Sequence, residues 1–358
     1  MNSGVGKLAA SGLVVLALPV LALIIMVPMS IEMQLLLSVA AILFTMVLKR
    51  NPSSRITLTL VVISITLSTR YLYWRTTETL HFSNGVEWVL GIGLYLAEVY
   101  AWIILLLGYF QSAWPLERRP SRLPADTSVW PSVDVYIPTY NESLSVVQDT
   151  ILAAQNLNYP ADKLRIYVLD DGRRPEFGAY AAAAGVGYIV RPDNNHAKAG
   201  NLNHAMTKTQ GDLICIFDCD HVTTRVFLQA TVGQFLDDPK LALVQTPHHF
   251  YSPDPFARNL STQGKVPSED ELFYGPIQKG NDLWNATFFC GSCAIIRRKA
   301  LEDTNGFAVE TVTEDAHTAL KLQRKGWNTA FISVPWQQAF QQSAWPCMSV
   351  SVCAGREA

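Results

Sequence analysis

The sequence predicts an α/β domain with a Rossmann-like mixed sheet, preceded by four transmembrane α-helices. Three observations carry this reading. Residues 1–110 hold long, nearly uncharged apolar runs. Beyond residue 131, short β-prone strands alternate with helical stretches, the pattern of an α/β sheet. One of those strands, residues 213–217, ends in two carboxylates, Asp218 and Asp220, where open α/β sheets bind ligands. Only 16% of the 358 residues are charged and the formal net charge is −2. Soluble chains carry about 25%, so membrane lipid is the expected surrounding of the N-terminal part. A nucleic-acid partner is not expected, because it would call for a basic surface.

A bilayer is crossed by about 20 apolar residues. Four runs qualify or nearly so: residues 13–29, 33–48, 56–68 extending through Trp74, and 89–110. The first reads as an uncleaved anchor rather than a signal peptide, since three more spans follow. Lys49, Arg50 and Arg55 separate the second and third runs, and Arg118, Arg119 and Arg122 follow the fourth. The positive-inside rule places both basic connections and the N-terminus in the cytoplasm. Trp74, Trp88, Trp102 and Trp114 lie near span ends or facing neighbours, as interfacial aromatics do. Glu98 lies inside the fourth run and is costly there unless it faces water or another helix. The expected boundaries are a transmembrane region at 1–112, a Pro-, Ser- and Arg-rich linker at 113–131, an α/β domain at 132–335 and an aberrant tail at 336–358.

Strands are expected at 133–137, 164–169, 187–190, 213–217 and 241–245, and helices at 144–156, 176–184, 198–209 and 225–236. Strand alternation would put Asp218 and Asp220 on one side and Cys219 on the other. Two like charges there call for a cation, and carboxylate oxygens suit Mg²⁺ or Mn²⁺ shared with phosphate. The bland alternative is a solvated turn that happens to hold two Asp.

The first strand runs into Thr139-Tyr140-Asn141-Glu142 and then a helix, a strand–turn–helix unit suited to a nucleotide. The second ends in Asp170-Asp171-Gly172, where a carboxylate either accepts bonds from a uracil N–H or ribose hydroxyls or caps a turn. Lys198 near a helix N-terminus opposes the helix dipole, which implies an anionic partner such as a diphosphate. His221 reads as a metal or phosphate ligand or as a structural hydrogen bonder, and His248 and His249 as structural. Thr313-Glu314-Asp315 opens a helix; Asp315 is a candidate general base, or the three form an ordinary acidic first turn. Cys290-Gly291-Ser292-Cys293 is one C-x-x-C with no second pair and no histidines at ligand spacing. No zinc site is therefore expected, and the thiols are expected reduced.

Taken together, the Asp170-Asp171-Gly172, Asp218-Cys219-Asp220 and Thr313-Glu314-Asp315 stations resemble the processive family 2 glycosyltransferases. Tyr136 to Glu142, His196 to Asn203, Gln245 to Phe250 and Phe288 to Ser292 narrow the resemblance to the bacterial cellulose synthase family, over roughly residues 10–335. The resemblance implies a GT-A nucleotide-sugar domain on the cytoplasmic face of a multi-pass protein of the cell inner membrane. It implies UDP-glucose as donor, with uridine near Thr139, Tyr140, Glu142 and Asp170 or Asp171. The diphosphate would meet Lys198, His221 and a Mg²⁺ held by Asp218 and Asp220.

By the same resemblance Asp315 takes the proton from the 4-hydroxyl of a growing glucan chain. Cys290 and Gly291 lie under the acceptor end, Thr313 and Glu314 stand beside the base, and inversion gives a β-1,4 bond. A periplasmic accessory subunit is implied as a partner. The rival readings are a synthase of chitin, hyaluronan or poly-N-acetylglucosamine, and a catalytically dead sugar-nucleotide-binding remnant.

The family pattern continues beyond Val334-Pro335 with a Gln-x-x-Arg-Trp motif, further helices and a cyclic-di-GMP-binding domain. Here Gln341 to Trp345 comes early and carries Ala344 in the arginine place. A frameshift or truncated reading frame after about residue 335 is the expectation.

Overall fold

The computed structural model describes residues 18–51, 53–250, 259–262, 266–267, 269–333 and 353–355. The expected aberrant tail lies outside the described residues except for 353–355. The chain divides into two compact units, Met1–Trp114 and Pro115–Ala358.

The first unit is helical. Residues 18–26 form α1, followed by α2 (Ile31–Leu48), α3 (Ser54–Glu78) and α4 (Gly85–Ser112). Ser30, Ser53 and Asn84 cap the last three, each accepting the N–H three residues on. Three helices among the described residues are long and apolar enough to cross a membrane, where the sequence suggests four. The difference lies in the first run. Its residues 13–17 fall outside the described residues, and 18–26 alone are too short to span.

Glu98 meets a neighbouring helix rather than solvent. Its carboxylate accepts from Arg75 Nε at 2.8 Å and from the Tyr71 hydroxyl at 3.0 Å. Pairing removes most of the cost of either charge in lipid. Arg75→Leu, which strands Glu98, is expected to destabilise the helical unit by about 2–3 kcal/mol. The double change with Glu98→Leu is expected to recover most of that loss in detergent thermal denaturation.

The second unit is built on a seven-stranded sheet. Its elements in chain order are β1 (Val133–Thr139), α5 (Leu144–Gln155), β2 (Leu164–Asp170), α6 (Pro175–Ala184), β3 (Gly187–Ile189), α7 (Ala197–Met206), β4 (Leu213–Ile216), β5 (His221–Thr223), α8 (Phe227–Thr231), α9 (Gly233–Asp237), β6 (Leu241–Gln245), β7 (His249–Phe250), β8 (Ala294–Arg297) and β9 (Asn328–Phe331). The sheet order is β3-β2-β1-β4-β8-β6-β9. β8 alone runs antiparallel to its neighbours, β4 and β6. A separate three-stranded sheet joins β5, residues Cys353–Gly355 and β7.

Alternation along the strands fills both faces. Val133, Val135 and Ile137 of β1 join Leu213 and Cys215 of β4 in a core under α5 and α8. Tyr136, Ile214 and Ile216 face the opposite core with Ala199 and Leu202 of α7. Strands apolar on both faces are what a sheet covered by helices on each side requires.

The five expected strands and the first three expected helices lie where the sequence put them, within a few residues. The helix expected at 225–236 is instead two short ones. It breaks at Val232, where the Phe235 N–H bonds the carbonyl only three residues back.

Candidate active site

The six strands other than β8 run the same way past the switch point between β1 and β4. Thr139, Asp170, Asp218 and Gln245 therefore arrive at one edge of the sheet. β8 runs backwards, so the loop entering it, residues 290–293, starts at that same edge. Chain direction alone thus brings the Asp-x-Asp and Cys290–Ser292 segments together.

Asp218 and Asp220 do not stand on the strand, contrary to the alternation argument. β4 ends at Ile216, and the pair occupies a turn closed by His221 N–H to Asp218 O at 3.0 Å. The ladder stops because the Asp218 N–H is taken by Ser292 Oγ at 2.7 Å. Cys219 is nonetheless buried, with its carbonyl accepting from Thr150 Oγ1 at 2.6 Å. The carboxylates of Asp218 and Asp220 stay open, at 33% and 35% exposure.

Lys198 lies in the first turn of α7 and ion-pairs with Asp218. The anion that its place in the helix calls for is, in the structure, this carboxylate. Burial opposes ionisation of Asp220, but the bond from His221 Nδ1 at 3.0 Å and nearby Lys198 hold its carboxyl below the ordinary 3.8. Burial alone would push the His221 imidazole down; the Asp220 carboxylate and nearby Cys293 bring it up to about 10.

At the nucleotide end, Glu142 Oε2 accepts from Thr139 Oγ1 and from the Tyr140 N–H, each at 2.8 Å. Burial works against its ionisation, yet these bonds keep it below its ordinary value. The Tyr140 side chain is exposed. Asp170 is fully buried and surrounded by protein donors: the N–H groups of Gly172 and Arg174, the Arg174 guanidinium and the Tyr188 hydroxyl. Asp171 is gripped by both forks of Arg191, at 2.7 and 2.6 Å, with both side chains over nine-tenths buried. Both carboxylates are thus already paired with an arginine. As they stand, the two hold the turn after β2.

Arg191 also donates to Asn195 O at 2.6 Å and Ala197 O at 2.8 Å. Between those carbonyls His196 and Ala197 have positive φ, 61° and 43°. Such strain persists only where the surroundings enforce it. Arg191 thus holds the bent segment that delivers Lys198.

Asp315 lies in the first turn of the helix Glu314–Arg324. Its Oδ1 accepts the Ala316 N–H at 2.7 Å, and its Oδ2 points toward Gly291. A Cβ on Gly291 would lie 3.7 Å from Asp315 Oδ2 and 3.8 Å from Lys198 Nζ, at a φ of +84°. Gly291 is therefore where Asp315 meets Lys198, which is itself paired with Asp218. Gln245 fixes this loop by accepting the Cys290 N–H at 2.9 Å and donating to Ser292 O at 2.8 Å. The Cys290 thiol is pushed up by burial and by the Asp315 charge, so it stays protonated. Thr313 is exposed and Glu314 half-buried; of the three acidic-turn residues, Asp315 is the one brought to Gly291.

Two partly open carboxylates with only oxygen donors suit a hard divalent cation. The residues present fit that group. Sequence reasoning missed Arg174, Arg191, Gln245 and Ser292 as organisers. Gln245 and Ser292 lay inside recognised motifs, but nothing local in the sequence revealed their contacts.

Residues 134–304 match the sequence model described as Glycosyl transferase family 2. The mannosyltransferase PcManGT of Pyrobaculum calidifontis, solved with GDP-Man and Mn²⁺, superposes with a TM-score of 0.51 at 22% identity, over 68% of this chain and 66% of that one. The fold is that of the GT-A glycosyltransferases, and it follows three helices that are long and apolar enough to cross a membrane.

The chain is, more particularly, a homologue of the cellulose synthase catalytic subunits. It is 56% identical over 92% of its length to the UDP-forming cellulose synthase catalytic subunit of Xanthomonas axonopodis pv. citri (strain 306), covering 45% of that protein. It is 54% identical over 87% of its length to the cellulose synthase 1 catalytic subunit of Komagataeibacter xylinus, covering 42%. The corresponding subunit of Pseudomonas fluorescens (strain SBW25) is 56% identical over 87%, again covering 42%. The chain spans less than half the length of these curated relatives.

Proposed function

We propose that this chain carries the donor site and catalytic base for transfer of glucose from UDP-glucose to the 4-hydroxyl of a β-1,4-glucan. The observation that supports it best is the convergence of Asp315, Lys198 and Asp218 around Gly291. A group-transfer site needs positive charge at the leaving group and a base at the nucleophile. In this reading Lys198 turns from Asp218 to the diphosphate as negative charge develops there. Asp315 Oδ2 accepts the proton of the attacking hydroxyl from the helix-start side. Gly291 leaves room between them that any side chain would fill. Thr139, Tyr140 and Glu142 line the uridine end, and Asp170 and Asp171 hold the turn beneath it.

Asp218 and Asp220 would hold Mg²⁺, which when bound neutralises the departing diphosphate as a Lewis acid. The helical unit would anchor the chain in the cell inner membrane with the catalytic unit in the cytoplasm. A periplasmic accessory subunit would receive the glucan. The cellulose synthase relatives favour glucose over the N-acetylated donors of other synthases.

UDP binding by calorimetry tests the donor half. With Mg²⁺, the double change Asp218→Asn with Asp220→Asn is expected to weaken UDP at least about tenfold, near 1.4 kcal/mol. Equal affinity in both chains, or no response to chelator, would contradict the assignment.

A further inference from the structure

Behind the Asp-x-Asp turn lies a cluster that includes His221, expected from the resemblance at the diphosphate but nearly buried and bonded to Asp220 in the structure. His221, His248 and Cys293 bring one donor atom each to within 4.8 Å of one another. Cys293 is fully buried and the His221 side chain is 5% exposed. They come from three segments: the start of β5, the chain after β6 and the loop into β8. No sequence spacing links them, which is why a search for ligand patterns around Cys290 and Cys293 finds none.

Two features distinguish the cluster from chance packing. Each imidazole has one nitrogen committed to an acceptor outside the cluster. His221 Nδ1 bonds Asp220 Oδ1 at 3.0 Å, and His248 Nε2 bonds the Ser292 carbonyl at 3.0 Å. Carboxylate and carbonyl partners of this kind orient metal-binding histidines and fix their tautomers. The second feature is His221 Nε2, which is buried without a nitrogen or oxygen partner and has the Cys293 thiol beside it.

We propose that His221, His248 and Cys293 bind one borderline-soft ion of the Zn²⁺ class, at a site separate from the Asp218–Asp220 pair. Imidazole and thiolate donors select such an ion and disfavour Mg²⁺. With Zn–N near 2.0–2.1 Å and Zn–S near 2.3 Å, donors around a bound ion lie roughly 3.3–3.6 Å apart. The observed set, spread to within 4.8 Å, would have to draw closer around a bound ion. The ion would take the places of protons on the cluster. It would tie the Asp-x-Asp turn, the end of β6 and the Gly291 loop to one point, fixing three walls of the site.

The test uses the full chain in detergent, stripped with chelator, reloaded with Zn²⁺ or Co²⁺ and freed of excess metal. One tightly held ion per chain is expected by elemental analysis. Co²⁺ is expected to give a thiolate-to-metal charge-transfer band and the visible bands of four-coordinate cobalt. Cys293→Ser should abolish the charge-transfer band and His248→Ala should weaken retention at least about tenfold. Cys290→Ser and Asp218→Asn should keep both the ion and the band.

Cobalt retained by the unaltered chain without a thiolate band would overturn the proposal, whatever the variants do. So would failure to retain Zn²⁺, or retention unchanged in the Cys293→Ser, His248→Ala double variant.

Discussion

Asp315→Asn is expected to lower the rate of glucosyl transfer by about 10²–10⁴-fold, the usual contribution of a positioned general base. UDP affinity should be unchanged. The amide keeps the size of the side chain, and its oxygen still accepts the Ala316 N–H at the helix start. Folding is therefore not the variable. What is lost is Oδ2 as a proton acceptor on the side that faces Gly291 and Lys198. Single-turnover kinetics beside UDP calorimetry separates the outcomes. A variant with an unaltered rate, or with weakened UDP and normal turnover, would make Asp315 a binding residue and remove it as base.

Arg191→Met is expected to destabilise the catalytic unit by about 3–5 kcal/mol, the cost of stranding one member of a buried ion pair. That corresponds to a Tm lower by roughly 10 °C. Asp171 would keep its charge with both guanidinium forks gone. The carbonyls of Asn195 and Ala197 would lose their donor just where the backbone is held at positive φ. Asp171→Leu on the same background should recover much of the loss, because the stranded charge disappears. Thermal denaturation by circular dichroism decides. A normal Tm with an altered KM for UDP-glucose would return Asp171 to the donor pocket.

The contrast between those residues shows what the sequence reveals. The α/β pattern was legible because β1, β2 and β4 are short apolar runs with turn chemistry after each. Asp218, Asp220 and Lys198 stood out because like charges at a strand end and a cation at a helix start are costly without a partner, whereas Asp315, in a first turn that favours acids, stood out through the motif resemblance. The Asp171–Arg191 pair did not, since the two side chains lie 20 positions apart and meet only when β3 packs beside β2. β8 was missed for a related reason. Four residues following a glycine-containing, cysteine-flanked loop show no period, and only pairing with β4 and β6 makes them a strand. The Asp-x-Asp turn was misjudged because its geometry is set by Ser292, 74 positions away. The His221, His248 and Cys293 grouping is likewise a product of topology.

The most direct measurement of the central claim is incorporation of labelled glucose from UDP-glucose, with Mg²⁺, into insoluble product by purified chain in lipid. The proposed arrangement predicts product that a β-1,4-glucanase dissolves, that chelator prevents and that Asp315→Asn does not form. Absence of product together with absence of metal-dependent UDP binding would contradict it. So would equal incorporation from UDP-N-acetylglucosamine.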